Sequence, residues 1–301
     1  MKHTKIAVIG AGSVGSTSAY SLLMSNIAAE IILVDIDKKR CKGQIMDLND
    51  SLAFSSSSKI IEGATKDAKN ADIIIIAAGQ SQRPGQKRQD LLENNKKIIE
   101  SIMKDLTPVD KDTIIIMVTN PVDTMTHYAQ QLSNLPKNQI IGSGTFLDTQ
   151  RLKGFLTEKL KISEKSINAF VVGEHGDLQL VAWSQATVSG VPLKNFPEIN
   201  NNILNQIEEK TRKKAYDIID CKGSTYFGIA SCITSICKSI IYNQNRIIPT
   251  SVYVEKLKTY IGMPAIIGNC GVKKIIDLQL NKQEEEKLKE SAEKIISTLQ
   301  N

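Results

Sequence analysis

The 301-residue sequence contains no long hydrophobic run. Its most apolar stretches, 73–79 and 114–118, fall far short of the roughly 18 residues that a membrane span requires. The short apolar segment after the basic residues Lys2, His3 and Lys5 ends at Gly10. It is read as a first strand with no export signal, and the expectation is a soluble, cytoplasmic chain with no membrane partner. Cysteine is sparse: the five positions 41, 221, 232, 237 and 270 form no CxxC pair, and only three histidines accompany them. That argues against a zinc site and against a disulfide framework, and predicts buried free thiols in a reducing compartment with no metal bound. Aromatic residues are scarce too, at 5%. Although the net charge is +6, the basic residues are interspersed with 32 acids, so solvated helix faces explain them better than nucleic-acid binding does.

The sequence is long enough, with 41% hydrophobic residues, for one large or two modest domains. In the first half, apolar runs of strand length (5–9, 31–35, 59–62, 72–78, 113–119 and 139–142) alternate with amphipathic helical segments (13–26, 38–52, 89–106 and 121–132). Strands with few polar residues, separated by helices, predict a parallel sheet covered on both faces, because parallel strands require crossovers. The fold class expected for residues 1–143 is therefore α/β, a Rossmann-type doubly wound sheet. From about Phe146 the rhythm changes. A long helix, short extended runs (167–172 and 178–181), helices over 199–220 and 225–243, extended segments over 247–254 and 265–277, and a last helix over 282–299 predict an α+β substrate domain for 144–301. No Ser/Gly/Pro-rich linker separates the halves, so the two should pack tightly with a site between them.

Gly10, Gly12 and Gly15 follow the first expected strand and open the first expected helix. In that context the first glycine permits a tight turn, the second lets backbone approach a pyrophosphate, and the third allows close helix–strand packing. Phosphate would sit on the helix N-terminus. Asp35 ends the second expected strand, at the spacing of about 20 residues where a carboxylate accepts from a ribose diol and repels a 2′-phosphate. NAD is thus favoured over NADP, with Lys38, Lys39 and Arg40 read as the exposed start of the next helix. The plainer reading of Asp35 is a strand-end acid.

Oxidising a secondary alcohol needs a base for the hydroxyl proton, and histidine alone has an unperturbed pKa near neutrality. Of the candidates, His3 lies at the terminus and His127 falls mid-helix, whereas His175 follows an apolar run and is flanked by Gly173 and Gly176, which leave room beside its ring. Asp148 and Arg151 are spaced to share one helix face, which by itself could be a surface ion pair. Arg88 closes a Gly/Pro/Gln-rich segment, 80–87, after the fourth strand. A polar segment in that place suits a mobile lid over a ligand, or merely a helix start.

Five motifs occur in one order: the segment 78–88 from Ala78 and Gly79 to Arg88; Thr119-Asn120-Pro121; the segment 144–151 with Asp148 and Arg151; Gly173-Glu174-His175-Gly176-Asp177; and the segment 222–229 with Thr225 and Ile229. Together they resemble the L-lactate and malate dehydrogenase family, and the match covers essentially the whole chain. The resemblance implies an NAD-dependent dehydrogenase of small 2-hydroxy acids, active as a homo-oligomer, tetramer or dimer. It assigns the acid/base to His175, its carboxylate partner to Asp148, the substrate-carboxylate fork to Arg151 and the carbonyl-polarising arginine to Arg88. Asn120 would hydrogen-bond substrate and nicotinamide, and Ile229 would supply an apolar wall. Ser13, Val14, Ala78, Gly79 and Thr119 fall with the glycine turn and Asp35 on the cofactor side.

The positions that distinguish lactate from malate enzymes match Gln82 and Thr225. Malate enzymes carry arginine at the first of these, and a neutral Gln82 favours pyruvate and L-lactate, because an unpaired second carboxylate in a closed site would cost several kcal/mol. Arg83 lies one residue past that slot, so the alternative is a malate dehydrogenase, or an enzyme for bulkier 2-hydroxy acids. From another class, the alternative is an inactive nucleotide-binding module.

Overall fold

In the computed structural model, which describes residues 4–55, 59–80 and 88–300, the first half is built on six parallel strands. They are β1 (Lys5–Ile9), β2 (Glu30–Val34), β3 (Lys59–Glu62), β4 (Ile73–Ile76), β5 (Ile114–Met117) and β6 (Ile140–Gly142), in the order β3-β2-β1-β4-β5-β6. The helices α1 (Ser13–Met24), α2 (Lys38–Asp50), α3 (Arg88–Leu106) and α4 (Val122–Leu132) provide crossovers between them.

The strands carry apolar residues at consecutive positions because both faces are covered. Successive side chains point to opposite faces. Ile6, Val8, Ile31, Leu33, Ile73 and Ile75 therefore join one buried cluster that includes Leu22 and Leu23 of α1. Their neighbours Ala7, Ile9, Ile32, Val34, Ile74 and Ile76 join another with Ile99 and Met103 of α3 and Met125 of α4.

The second half begins with α5 (Phe146–Leu160). Short strands follow, β7 (Ile167–Asn168), β8 (Val171–Gly173), β9 (Gln179–Val181), β10 (Thr187–Val188) and β11 (Val191–Pro192), then α6 (Asn201–Lys222) and α7 (Phe227–Ile241). The long strands β12 (Arg246–Val254) and β13 (Thr259–Gly268), with β14 (Gly271–Ile275), precede the last helix, α8 (Lys282–Gln300). Asn281 and Glu284 form a reciprocal cap at its start, Asn281 Oδ1 accepting the Glu284 amide at 3.0 Å and Glu284 Oε2 the Asn281 amide at 3.1 Å.

Several details differ from the sequence reading. The extended segment expected over 265–277 is a hairpin, turned at Gly271 with φ 85°, and the helix expected from Thr225 starts only at Phe227. Cys41, Cys232 and Cys237 are buried free thiols as expected, but Cys221 and Cys270 are exposed. The halves are also joined more closely than two packed lobes. β12 pairs antiparallel with β6 through Ser251 and Gly142, and β13, β8 and β9 continue outward from it. One 11-stranded sheet therefore runs through both halves, with β12 and β13 lying between β6 and β8. Among the described residues no helix is long and apolar enough to cross a membrane.

Candidate active site

The cofactor end is shaped by three glycines with three different surroundings. A Cβ on Gly10, which has φ +106°, would lie 2.7 Å from the Ala78 amide nitrogen, and one on Gly15 would lie 1.7 Å from the Gly10 carbonyl oxygen. A Cβ on Gly12 would meet nothing within 4 Å. The first and third glycines are thus demanded by the chain's own packing, while the second faces open space, where only a ligand would feel an added methyl. Gly12 also caps α1 without a side-chain hydrogen bond. The amides of the first turn, including those of Ser13, Val14 and Gly15, are left at the positive end of the helix dipole. A cleft of about 430 Å³ opens there, lined among others by Gly12, Ser13, Thr17, Arg40 and Tyr226.

Asp35 lies immediately after β2, and its carboxylate is fixed from both sides. Oδ2 accepts the Ala11 amide at 2.6 Å and Oδ1 the Asp37 amide at 2.8 Å. The nearby cations are engaged elsewhere, Arg40 with Asp37 at 3.4 Å and Lys38 with Glu62 at 3.8 Å.

Thr119, at the end of β5, donates to the Ala78 carbonyl at 2.6 Å, and a Cβ on Gly79 would stand 2.5 Å from its methyl. Asn95 of α3 ties the same two loops together: Oδ1 accepts the Gln80 amide at 2.8 Å, and Nδ2 donates to the Asn120 carbonyl at 2.7 Å.

A second cavity, of about 350 Å³, brings together Asn120, Asp148, Arg151 and His175 among its lining residues. The first turn of α5 presents Asp148, whose Oδ2 lies 2.6 Å from His175 Nδ1 and whose Oδ1 accepts from Arg151 at 3.2 Å. Asp148 is nearly sealed, with a side-chain exposure of 3%, whereas His175 retains 26% toward the cavity. The negative charge of Asp148 raises His175 above the usual histidine range against the opposing effect of burial. Burial alone would push Asp148 up, but the charge and hydrogen bond of His175, followed by those of Arg151, hold it below the usual carboxylate range. Asp148 thus favours the imidazolium and fixes the tautomer, leaving Nε2 as the ring nitrogen available to a ligand.

Of the other expected site residues, Thr225 lies in the loop before α7 and Ile229 packs against the core from the first turn of that helix. Neither lines either cavity. Arg88 is the first residue of α3, with its side chain outside the described residues, as are Gln82 and Arg83. Residues that the sequence reading did not single out also line the chemical cavity, among them Glu174, Arg212 and Tyr216. Burial, together with Asp123 and Asp177, pushes the Glu174 carboxyl up. Arg212 pairs with Glu209 at 3.0 Å. Glu174 could have been found from its place inside the Gly-Glu-His-Gly-Asp run, but nothing in the sequence points Arg212 inward.

Residues 4–142 match the model of the lactate/malate dehydrogenase NAD-binding domain, and residues 145–301 match that of the family's alpha/beta C-terminal domain. The chain belongs to the lactate/malate dehydrogenase family. It is an NAD-dependent oxidoreductase, and NAD is the cofactor that the open face of Gly12, the α1 amides and Asp35 suit. An L-lactate dehydrogenase of Clostridium botulinum (strain Loch Maree / Type A3) is 39% identical over 99% of this chain and 96% of its own length. L-lactate dehydrogenase A of Rhizopus oryzae is 41% identical over 98% and 92%. Among solved structures, a lactate dehydrogenase enzyme from a Medee basin deep-sea metagenome library superposes with a TM-score of 0.95 at 36% identity, covering 100% of this chain and 99% of the other. The minor L-lactate dehydrogenase of Enterococcus mundtii, in its ligands-bound form, gives 0.96 at 32% identity, covering 100% and 98%.

Proposed function

We propose that this chain interconverts pyruvate and L-lactate with NADH and NAD+. The observation that carries the reading is the buried Asp148 held at once by His175 and Arg151, in a chain whose first glycine turn and Asp35 suit NAD. In the reductive direction Arg151 forks onto the substrate carboxylate, a planar pairing that lysine cannot reproduce. Asn120 donates to the carbonyl oxygen and Arg88 polarises the same bond. His175, protonated because Asp148 sustains its charge, gives its Nε2 proton to that oxygen. When bound, the nicotinamide supplies the hydride that the carbonyl carbon receives. In the oxidative direction His175 takes the hydroxyl proton back.

Gln82 and Thr225 face the variable end of the substrate in this scheme, Ile229 walls the nicotinamide, and Ala78, Gly79 and Thr119 support the cofactor. The chain divides at 143/144 into an NAD-binding domain and a catalytic and substrate domain, with Arg88, Asn120 and Gln82 reaching the substrate from the first and Ile229 the nicotinamide from the second. The chain works in the cytoplasm as a homo-oligomer, a tetramer or dimer. Exposed apolar side chains such as Met46, Phe54 and Phe227 suit burial between copies.

The deciding measurement is kcat/KM for NADH oxidation with pyruvate and with oxaloacetate, on one preparation at neutral pH. Preference for pyruvate by about a hundredfold or more is expected, since an uncompensated second carboxylate would be excluded from a closed site. Preference for oxaloacetate would make it a malate enzyme with Arg83 in the pocket, and NADH binding without turnover of any 2-oxo acid would make it a nucleotide-binding module.

A further inference from the structure

Asp123 sits in the first turn of α4, three residues after Asn120, and is 2% exposed. An acid in the first turn of a helix ordinarily serves the amides and dipole of its own helix. This one reaches instead across 52 residues of sequence to the catalytic loop, where its Oδ2 accepts the His175 main-chain amide at 2.8 Å. The other oxygen, Oδ1, is buried without a hydrogen bond of ordinary geometry, and so is the hydroxyl of Ser251, which faces the carboxyl from β12. The two atoms face each other beside His175, each the partner that a buried polar group of the other's kind requires.

We propose that Asp123 is a positioning residue for the pyruvate–lactate reaction, one carboxylate oxygen holding the His175 main chain in register with Asp148. The inference rests on the dehydrogenase reading above. Within the site the division of labour is geometric: Asp148 holds the ring at Nδ1, and Asp123 holds the backbone from which the ring projects. The Ser251 hydroxyl, carried by the strand that joins the two halves of the sheet, is placed to take up Oδ1.

The electrostatic setting is consistent with this. Asp123 adds to Asp148 in raising His175, while Arg151 opposes both. Burial pushes the Asp123 carboxyl up, Ser251 and the His175 amide draw it down, and Asp148 adds like-charge repulsion. Glu174 also faces Asp123, and Lys294 of α8 partly offsets Glu174. On the α3 side, Lys96 lies over the Tyr128 ring of α4 and pairs with Glu93.

The test compares the native enzyme with Asp123→Asn and Asp123→Ala. Pyruvate reduction needs protonated His175, so kcat/KM falls as pH rises through the histidine's value. Asparagine keeps an oxygen for the His175 amide but removes the charge. Asp123→Asn should therefore retain most of the native kcat at low pH, with the falling limb displaced by about one pH unit toward acid. NADH affinity, read by fluorescence titration, should be unchanged. Asp123→Ala should lose kcat by about tenfold or more with NADH affinity intact, and asparagine should restore most of that loss. A pH limb for Asp123→Asn that superimposes on the native one would overturn the proposal. So would a parallel fall in Tm, NADH affinity and kcat in both variants with the limb unmoved, since that is the mark of a structural acid. Failure of the native enzyme to reduce pyruvate would instead remove the dehydrogenase reading, and this inference with it.

Discussion

Asn95 and Asn120 are bound to each other across two crossover loops, the side-chain amide of Asn95 donating to the main-chain carbonyl of Asn120 at 2.7 Å from a position that is wholly buried. Through its other atoms Asn95 also holds Gln80, so the loops that follow β4 and β5 are set by one side chain. Replacing it with leucine keeps the volume but removes the tie to the Gln80 amide and the Asn120 carbonyl, which belong to exposed residues that water can reach, at about 0.5–1.5 kcal/mol for each bond lost. Asn95→Leu should lower Tm by several degrees and raise KM for pyruvate. A urea titration paired with initial rates checks this, and a variant with native stability and native KM would show that the tie is dispensable.

The second and third glycines of the turn, Gly12 and Gly15, should respond in opposite ways to the same methyl group. In Gly15→Ala the new Cβ would overlap the Gly10 carbonyl oxygen, so the helix must move off the strand, with a loss of about 3 kcal/mol or more in stability. Gly12→Ala places its methyl in open space and should fold with a Tm close to native. It should nevertheless bind NADH about tenfold more weakly or worse, because the methyl occupies the approach of the pyrophosphate. Equal NADH affinity in Gly12→Ala and the native protein would move the phosphates elsewhere.

Much of this was legible from the sequence, for identifiable reasons. The parallel strands stand out because burial on both faces leaves near-uninterrupted runs such as Ile73–Ile76, and Asp148 and Arg151 share a face because three residues make nearly one helical turn. The continuous sheet was not legible. Its joint is the pairing of Ser251 with Gly142, more than a hundred residues apart, and a strand's pattern says which face is buried, not which strand lies alongside. Asn95 illustrates the same limit. Lying on the buried face of α3 with Leu92, Ile99 and Met103, it could be flagged as a polar residue at an apolar helical position, but its partners belong to other elements. Thr225, at the start of the helix expected over 225–243, lies instead in the loop that precedes Phe227.

The His175–Asp148 pair also ties stability to pH, from opposite sides. The folded-state value of His175 is raised, so its contribution is fully present below the unfolded histidine value and is lost as pH rises through the folded one. The folded-state value of Asp148 is lowered, so its contribution is present above the unfolded carboxylate value and is lost as pH falls through the folded one. The native protein should therefore owe most to this pair between the usual ranges of the two groups. In Asp148→Asn that added stability should disappear from a series of urea melts across pH. An unchanged pH dependence of the melts in this variant would mean that the pair contributes no linkage.

Arg151 is the sharpest test of how the substrate is held. Its guanidinium is 9% exposed and already leans on Asp148 at 3.2 Å, which orients the fork and leaves its remaining N–H groups for a carboxylate lying in plane with it. Lysine would preserve the charge and much of the stem but not the fork, so electrostatic attraction and geometric recognition are separated by one substitution. Arg151→Lys should keep NADH affinity, because Arg151 lies in the chemical cavity and not in the cofactor cleft. It should lose kcat/KM for pyruvate by about a hundredfold or more, or about 2.7 kcal/mol of transition-state stabilisation. A loss below tenfold would mean that a point charge suffices and that the bidentate clasp is not how the substrate is held. A matching loss of NADH affinity would mean that Arg151 supports the fold of the whole cleft instead of the carboxylate alone.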